Sequence, residues 1–526
     1  MIANCRGFQS VPLHTTMAED PLPRKPADRQ SVLYFLLGRP WLLYVVLQMQ
    51  STMSQRFIRY HETKYWSRIA SSYLMSILSK PPGSMSSMQV QRVSKELIRP
   101  SSPTPNHLRN FQRSFIDERI PPLYIPLVIY YNLNEGKGIV QSQMSCRLKS
   151  SLSDALVHFY PLAGRLKGQA SVDCNDKGIV YMEAVADGRI SEVVKTADSL
   201  ILDKLVPFNS NASVTKAEEL LAIQVTWFDG GGIAVGICIS HSVADVCTLS
   251  SFVECWTSIA SGEASRVVYP AYNSAKLFPP QNTPDFTPNW KSPAVQPHSV
   301  KLAMKRFTFT SYIINELKMK VKEGSSIVRP TRIEVLSAFL WSRCLMAKNA
   351  GKSHKSVAYH PVNLRGRIKG LTQHSFGNNF QMAKAENDGE TNWILLVEKL
   401  RTAFSKINSE YTEKLLGEKG FNLTRDSFIE MSKLLVHGNV EVFRFSSYCR
   451  FEFYRADFGW GKPVWVSSAS YESRDCILLF DSIESQGGID AWIIMADEDM
   501  ARLEQDIDIH QFTTPFLPPY MLLSQS

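Results

Sequence analysis

Two residues four positions apart carry the strongest chemical signal in this 526-residue chain: His241 and Asp245, in the run His241-Ser242-Val243-Ala244-Asp245. An imidazole ionises near neutral pH. A histidine so placed can take a proton from a substrate hydroxyl, a contribution worth about 10²–10⁴ in rate. Asp245, one turn on, could orient the segment or ion-pair elsewhere. The same spacing also suits an interior histidine followed by a helix-capping aspartate, and spacing alone leaves both readings open. Other catalytic patterns are missing from the sequence. There is no G-x-S-x-G nucleophile turn and no G-x-x-x-x-G-K-[ST] phosphate loop, and Gly230–Gly236 does not fit G-x-G-x-x-G. Without H-E-x-x-H or a close histidine pair, no metal is expected. Cys247 and Cys255 follow on the same segment and read as core filling.

The flanking pattern says what positions His241. Asp229–Gly232 is a glycine turn. Ile233, Val235, Ile237 and Ile239 then recur at every second residue, with small Ala234, Gly236 and Cys238 between them. That is a strand with one bulky face and one face open to close approach. A helix follows through Leu249, Phe252, Val253 and Trp256. His241 therefore sits where a buried strand meets a helix start, a place where α/β architectures expose functional groups.

Two further segments stand out. In Tyr454–Pro463, Gly459 and Gly461 flank Trp460 and follow Asp457. The glycines permit tight turning, Trp460 can plug a core gap, and Asp457 can accept backbone or arginine hydrogen bonds. This segment reads as architecture, not chemistry. In Val362–Arg367, Arg365 closes a strand, and Phe376-Gly377-Asn378 follows. Arg365 either pairs with an inward carboxylate such as Asp245 or is a solvated surface arginine. A buried pair would fix geometry more than it would add stability.

The remaining elements build a large mixed α/β body. Strands are expected at Gln89–Ile98, Leu123–Tyr131, Val300–Thr310, 355–362 and 461–468, and helices at 141–158 and 331–347. Six prolines in 279–297 allow neither helix nor central strand and read as a crossover linker. Hydrophobic residues make up 44% of the chain and charged residues 20%, with Gly 27 and Pro 28, which excludes wholesale disorder and low-complexity readings. Residues 1–88 hold ten basic and four acidic residues, whereas the other 438 hold 48 and 45. The body is nearly balanced, which removes most support for nucleic acid as a partner. Nine scattered cysteines without C-x-x-C fit reduced thiols in a cytoplasmic protein. Residues 1–87 read as an extension outside the fold, either a transit segment or an upstream start ending near Met85 or Met88. Its apolar run, 32–47, is broken by Arg39-Pro40 and suits no membrane span.

Taken together, His241–Asp245 and Asp457–Gly461 resemble the HxxxD and DFGWG signatures of the plant BAHD acyl-CoA-dependent acyltransferases, in the right order and separation. The resemblance extends through Leu97–Pro105, Tyr160–Arg165, Val362–Arg365 and Phe376–Asn378, and so covers about residues 88–526. Within the family, the Ser101–Pro105 start, Val172–Asn175 and the Cys449-Arg450 stretch are most similar to the vinorine synthase-like alkaloid and alcohol acetyltransferases. The leading 88 residues depart from the family pattern.

The resemblance implies an α/β fold of two similar-sized chloramphenicol-acetyltransferase-like domains with a solvent channel between them. Residues 88–278 would carry HxxxD, 279–299 would be the crossover, and 300–526 would carry DFGWG. It further implies an acyltransferase moving groups other than aminoacyl groups. This enzyme would acetylate a hydroxyl of an alkaloid, terpenoid or other specialised metabolite through a ternary complex. His241 would be the general base in the channel. Asp245 would point away and pair with Arg365 to orient the histidine loop. Asp457, Gly459, Trp460, Gly461 and Arg365 would be structural. Acyl-CoA, acetyl-CoA by expectation, is a co-substrate and no cofactor stays bound. The chain is expected to be a monomer, with no nucleic-acid or membrane partner. No motif marks the substrate or CoA contacts, beyond an expectation of Lys or Arg near the phosphates. A larger acyl donor, an amine acceptor, or a member that only binds are the alternatives. Intact His241 and Asp245 argue against the last.

Overall fold

Alternating apolar residues build two six-stranded sheets. In the computed structural model, the described residues are 88–121, 123–133, 140–208, 218–229, 231–281, 300–348, 354–437, 440–469 and 473–513. The extension 1–87, Gly230 and most of the Pro-rich linker lie outside them. Met85–Ser526 forms one compact unit.

The first sheet contains β1 (Val90–Ile98), β3 (Tyr124–Tyr131), β6 (Ile179–Ala186), β7 (Leu221–Phe228) and β8 (Ile233–Ser240). A small three-stranded sheet beside it joins β2 (Asn110–Gln112), β4 (Arg165–Lys167) and β5 (Ser171–Asp173). Among the helices of this half are α1 (Phe115–Arg119), α2 (Gln141–His158) and α3 (Val246–Ser261). The second sheet contains β9 (Leu302–Phe309), β10 (Ser356–Asn363), β11 (Phe380–Asn387), β12 (Glu441–Ser447), β14 (Cys476–Asp481) and β15 (Ile489–Ala496). It is accompanied by α4 (Ser311–Gly324), α5 (Arg332–Lys348), α6 (Trp393–Ser405) and α7 (Gly417–His437).

Strand order is β1-β6-β7-β8-β3-β13 in the first sheet and β11-β10-β12-β14-β15-β9 in the second. The sixth strand of the first sheet, β13 (Trp465–Ser467), comes from the far end of the chain. It pairs antiparallel with β3, Trp465 opposite Tyr130 and Ser467 opposite Val128. Sequence alternation suggested a strand over 461–468. Only three residues pair, because Gly461 and Pro463 belong to the preceding turn and β13 finds its partner only on the edge of the other sheet.

β8 shows why its sequence is built as it is. Every residue from Ile233 to Ser240 is buried, with β7 on one side and β3 on the other. A Cβ at Gly236 would come within 2.0 Å of the Leu205 carbonyl oxygen, so only glycine lets that backbone approach. α3 begins where β8 ends. Its cap is Asp245, whose side chain accepts the Thr248 N–H, and it buries Leu249, Phe252 and Trp256. Among the described residues, no helix is long and apolar enough to cross a membrane.

Candidate active site

The end of β8 meets the connection between β10 and β11, and the segment His241–Asp245 is gripped there from several directions. The His241 N–H donates to the Leu123 carbonyl at 2.7 Å. Nδ1 of His241 lies 2.9 Å from the Ala244 carbonyl oxygen. A carbonyl can only accept, so Nδ1 carries the proton and the Nε2 lone pair is left for chemistry. Nδ1 is the ring nitrogen bound to the backbone, and the residue is partly exposed. The Phe380 ring stands 6.1 Å away, centroid to centroid. Burial pulls the imidazole below its ordinary 6.5, and the Ala244 carbonyl and Asp245 only partly offset it. The lowered value favours the neutral ring, the state a base requires.

Asp245 does not touch the imidazole. It faces Arg365, which donates to Oδ2 through Nη1 at 2.6 Å and to Oδ1 through Nη2 at 3.0 Å. The carboxylate also accepts the N–H groups of Thr248 and Asn379 at 2.9 and 3.1 Å. Burial alone would raise its pKa, but Arg365 and these donors outweigh it and hold Asp245 below the usual carboxylate value. Arg365 spends its other donors on the carbonyls of Ser375 and Gly377 and on Thr248 Oγ1. One guanidinium thus ties the end of β10, the β10–β11 connection and the start of α3 together. The structure brings His241, Asp245 and Arg365 into one cluster.

Three more residues complete the cluster, and none was singled out for a role by its sequence context. Asn378 Nδ2 donates to the His241 carbonyl at 2.7 Å and to Asp117 Oδ1 at 2.8 Å. Asp117 lies buried on α1, where Ser114 caps it, and burial raises its carboxyl despite Arg113 and the hydrogen bonds it accepts. Arg113, also buried, donates through Nε to the Ser242 carbonyl at 3.0 Å. The FGN run hinted at Asn378. Nothing local marks Arg113 or Asp117 for the site: the partners that tie them to it, Ser242 and Asn378, lie 129 and 261 residues away.

Asp457–Gly461 lies elsewhere. Asp457 Oδ1 accepts the N–H groups of Gly459 and Gly461 at 2.7 and 2.9 Å. Those glycines sit at φ +98° and +129°, where a side chain would be strained. Phe458 packs on Trp256 at 4.8 Å and Trp460 on Tyr131 at 6.2 Å. Trp256 stands eleven residues along α3 from Asp245, roughly 16 Å at 1.5 Å per residue. Cys247 and Cys255 are buried and their thiols are pushed up to about 12 by desolvation, which leaves them inert at neutral pH.

Known proteins share this arrangement of chain. Residues 88–509 match the Transferase family. A limonoid 1-O-acetyltransferase of Citrus sinensis is 34% identical over 444 residues, covering 81% of this chain and 99% of that protein. A stemmadenine O-acetyltransferase of Catharanthus roseus is 33% identical over 430 residues, covering 80% and 97%. The crystal structure of vinorine synthase superposes with a TM-score of 0.69 at 29% identity, over 81% of this chain and 99% of that one. The fold is therefore the α/β architecture of that enzyme. The chain belongs to the Transferase family, the BAHD acyltransferases whose signatures His241–Asp245 and Asp457–Gly461 resemble, and is an acyltransferase.

Proposed function

We propose that the chain is an acyl-CoA-dependent O-acyltransferase that acetylates a hydroxyl of an alkaloid or terpenoid, with His241 as its general base. The observation that carries this reading is the Nδ1–H held by the Ala244 carbonyl, which puts the lone pair of a neutral imidazole on Nε2. The acetyl donor and the acceptor class follow from the relatives' names, a limonoid and a stemmadenine O-acetyltransferase.

In the proposed reaction, the acceptor oxygen attacks the thioester carbonyl as Nε2 of His241 takes the hydroxyl proton. The tetrahedral intermediate collapses, the C–S bond breaks, and the imidazolium returns the proton to the departing sulfur. Ester and free CoA leave, and no covalent acyl-enzyme forms. Asp245 and Arg365 act by holding the histidine loop. Residues 88–278 and 300–526 are taken as the two domains, each supplying most of one sheet, with His241 in a channel between them. Asp457, Gly459, Trp460 and Gly461 are taken as structural, and the protein as a cytoplasmic monomer.

The test is thiol release with DTNB from acetyl-, malonyl- and hydroxycinnamoyl-CoA against hydroxylated alkaloids, limonoid-type terpenoids and simple alcohols. Acceptor-dependent release with acetyl-CoA, lost in His241→Ala, is the expected result. Release with another donor alone would move the donor assignment. Release that survives in His241→Ala would overturn the mechanism.

A further inference from the structure

Asn378 holds the backbone of His241, yet part of its own side chain is left unsatisfied. It is completely buried. Its N–H donates to Asp117 Oδ1 at 2.7 Å, and its Nδ2 donates to the same oxygen and to the His241 carbonyl. The His241 carbonyl can only accept, so the amide cannot be flipped. Its Oδ1 therefore points away from them, and that oxygen is buried without a hydrogen-bond partner. A buried, unpaired carbonyl oxygen costs about 1–3 kcal/mol. A cost of that size at a site's edge invites the question of when the oxygen is used.

We propose that Asn378 is a positioning residue for His241: its amide locks the histidine's backbone to Asp117, and its idle oxygen stabilises the imidazolium that forms during transfer. The neutral ring offers its single N–H to the Ala244 carbonyl. Once Nε2 has taken the acceptor proton the ring is positive, and a fixed amide dipole with its negative end nearby lowers the energy of that state without reorganising. The Asn378 side chain accordingly favours the protonated ring. The proton comes from the acceptor hydroxyl and passes on to the CoA sulfur, so Asn378 neither gains nor loses one. Asp117 fixes the amide's orientation through Nδ2 and the Asn378 N–H, and is itself capped by Ser114 at 2.7 Å.

This inference rests on the acyl-transfer reading, and its test includes a readout that needs no substrate. In the full chain, the His241 ring is titrated by NMR, with its signal assigned by its loss in His241→Ala. In Asn378→Leu, branched at the same carbon but apolar, the His241 pKa falls below the wild-type value, kcat drops by about 10²-fold, and KM for the acyl-CoA changes little. Asn378→Ser, smaller and still polar, is read for the same directions if the leucine variant does not fold. Asp117→Asn separates tethering from charge stabilisation: it lowers Tm and leaves the His241 titration in place. A folded Asn378 variant with unchanged titration and unchanged kcat would overturn the inference. So would an Asp117→Asn shift of His241 as large as that of Asn378→Leu. Loss of the acyl-transfer reading itself would appear differently, as activity surviving in His241→Ala.

Discussion

Asp245 and Arg365, 120 residues apart in the chain, form a bidentate pair at 2.6 and 3.0 Å, and the imidazole of His241 is left to the Ala244 carbonyl. The carboxylate therefore does not polarise the histidine as a triad aspartate would. It caps α3 and anchors the β10–β11 connection, and the loop carrying His241 is a consequence of both.

Removing the carboxylate leaves Arg365 charged and buried. Loss of one partner of such a pair costs about 3–5 kcal/mol. Asp245→Ala is expected to lower stability by that order and activity with it, whereas Asp245→Asn retains the cap and loses less. Chemical denaturation of the two variants measures this. A fully stable Asp245→Ala protein would contradict the anchoring role.

Asp457 holds two backbone N–H groups in a glycine turn packed on Trp256 and Tyr131. Asp457→Ala should cost about 0.5–1.5 kcal/mol for each hydrogen bond lost, since the turn is near solvent. The KM for acyl-CoA should hold in whatever fraction stays folded. A stable variant with weakened acyl-CoA binding would give this segment a direct role instead.

His360 on β10 is buried between Phe404 and Phe445, and desolvation drives it down to about 4. Between about 6.5 and 4 the unfolded chain binds a proton that the folded chain refuses, so this residue makes stability fall as pH falls through that window. The contribution is at most about 3 kcal/mol at the acid end. His360→Phe, which suits the aromatic surroundings, should flatten the Tm profile between pH 6.5 and 4. An equal slope in both proteins would show that other groups set it.

The sequence carried local order well and distant partners poorly. The helix expected at 141–158 is α2 itself, and the alternation of Ile233 to Ile239 is β8. Period and capping are written in neighbouring residues. The ambiguity at Asp245 resolves because two local readings are both physically present: it caps α3 and it faces Arg365. Asp117, Arg113 and Asn378 were not legible as a unit, because their hydrogen bonds depend on how α1, β8 and the β10–β11 connection converge. β13 was overextended for the same reason. Its length is set by the edge of β3, not by its own alternation.

The central claim is that neutral His241 removes the acceptor proton. The pH dependence of kcat/KM in the full chain, measured by thiol release for wild type and His241→Ala, tests it most directly. The base must be unprotonated, so activity should rise with pH through one ionisation whose midpoint lies below the ordinary histidine value of 6.5, because burial lowers it. In His241→Ala the rate should fall by about 10²–10⁴ and that ionisation should vanish. A variant that keeps its rate, or keeps the same acid limb, would contradict the account.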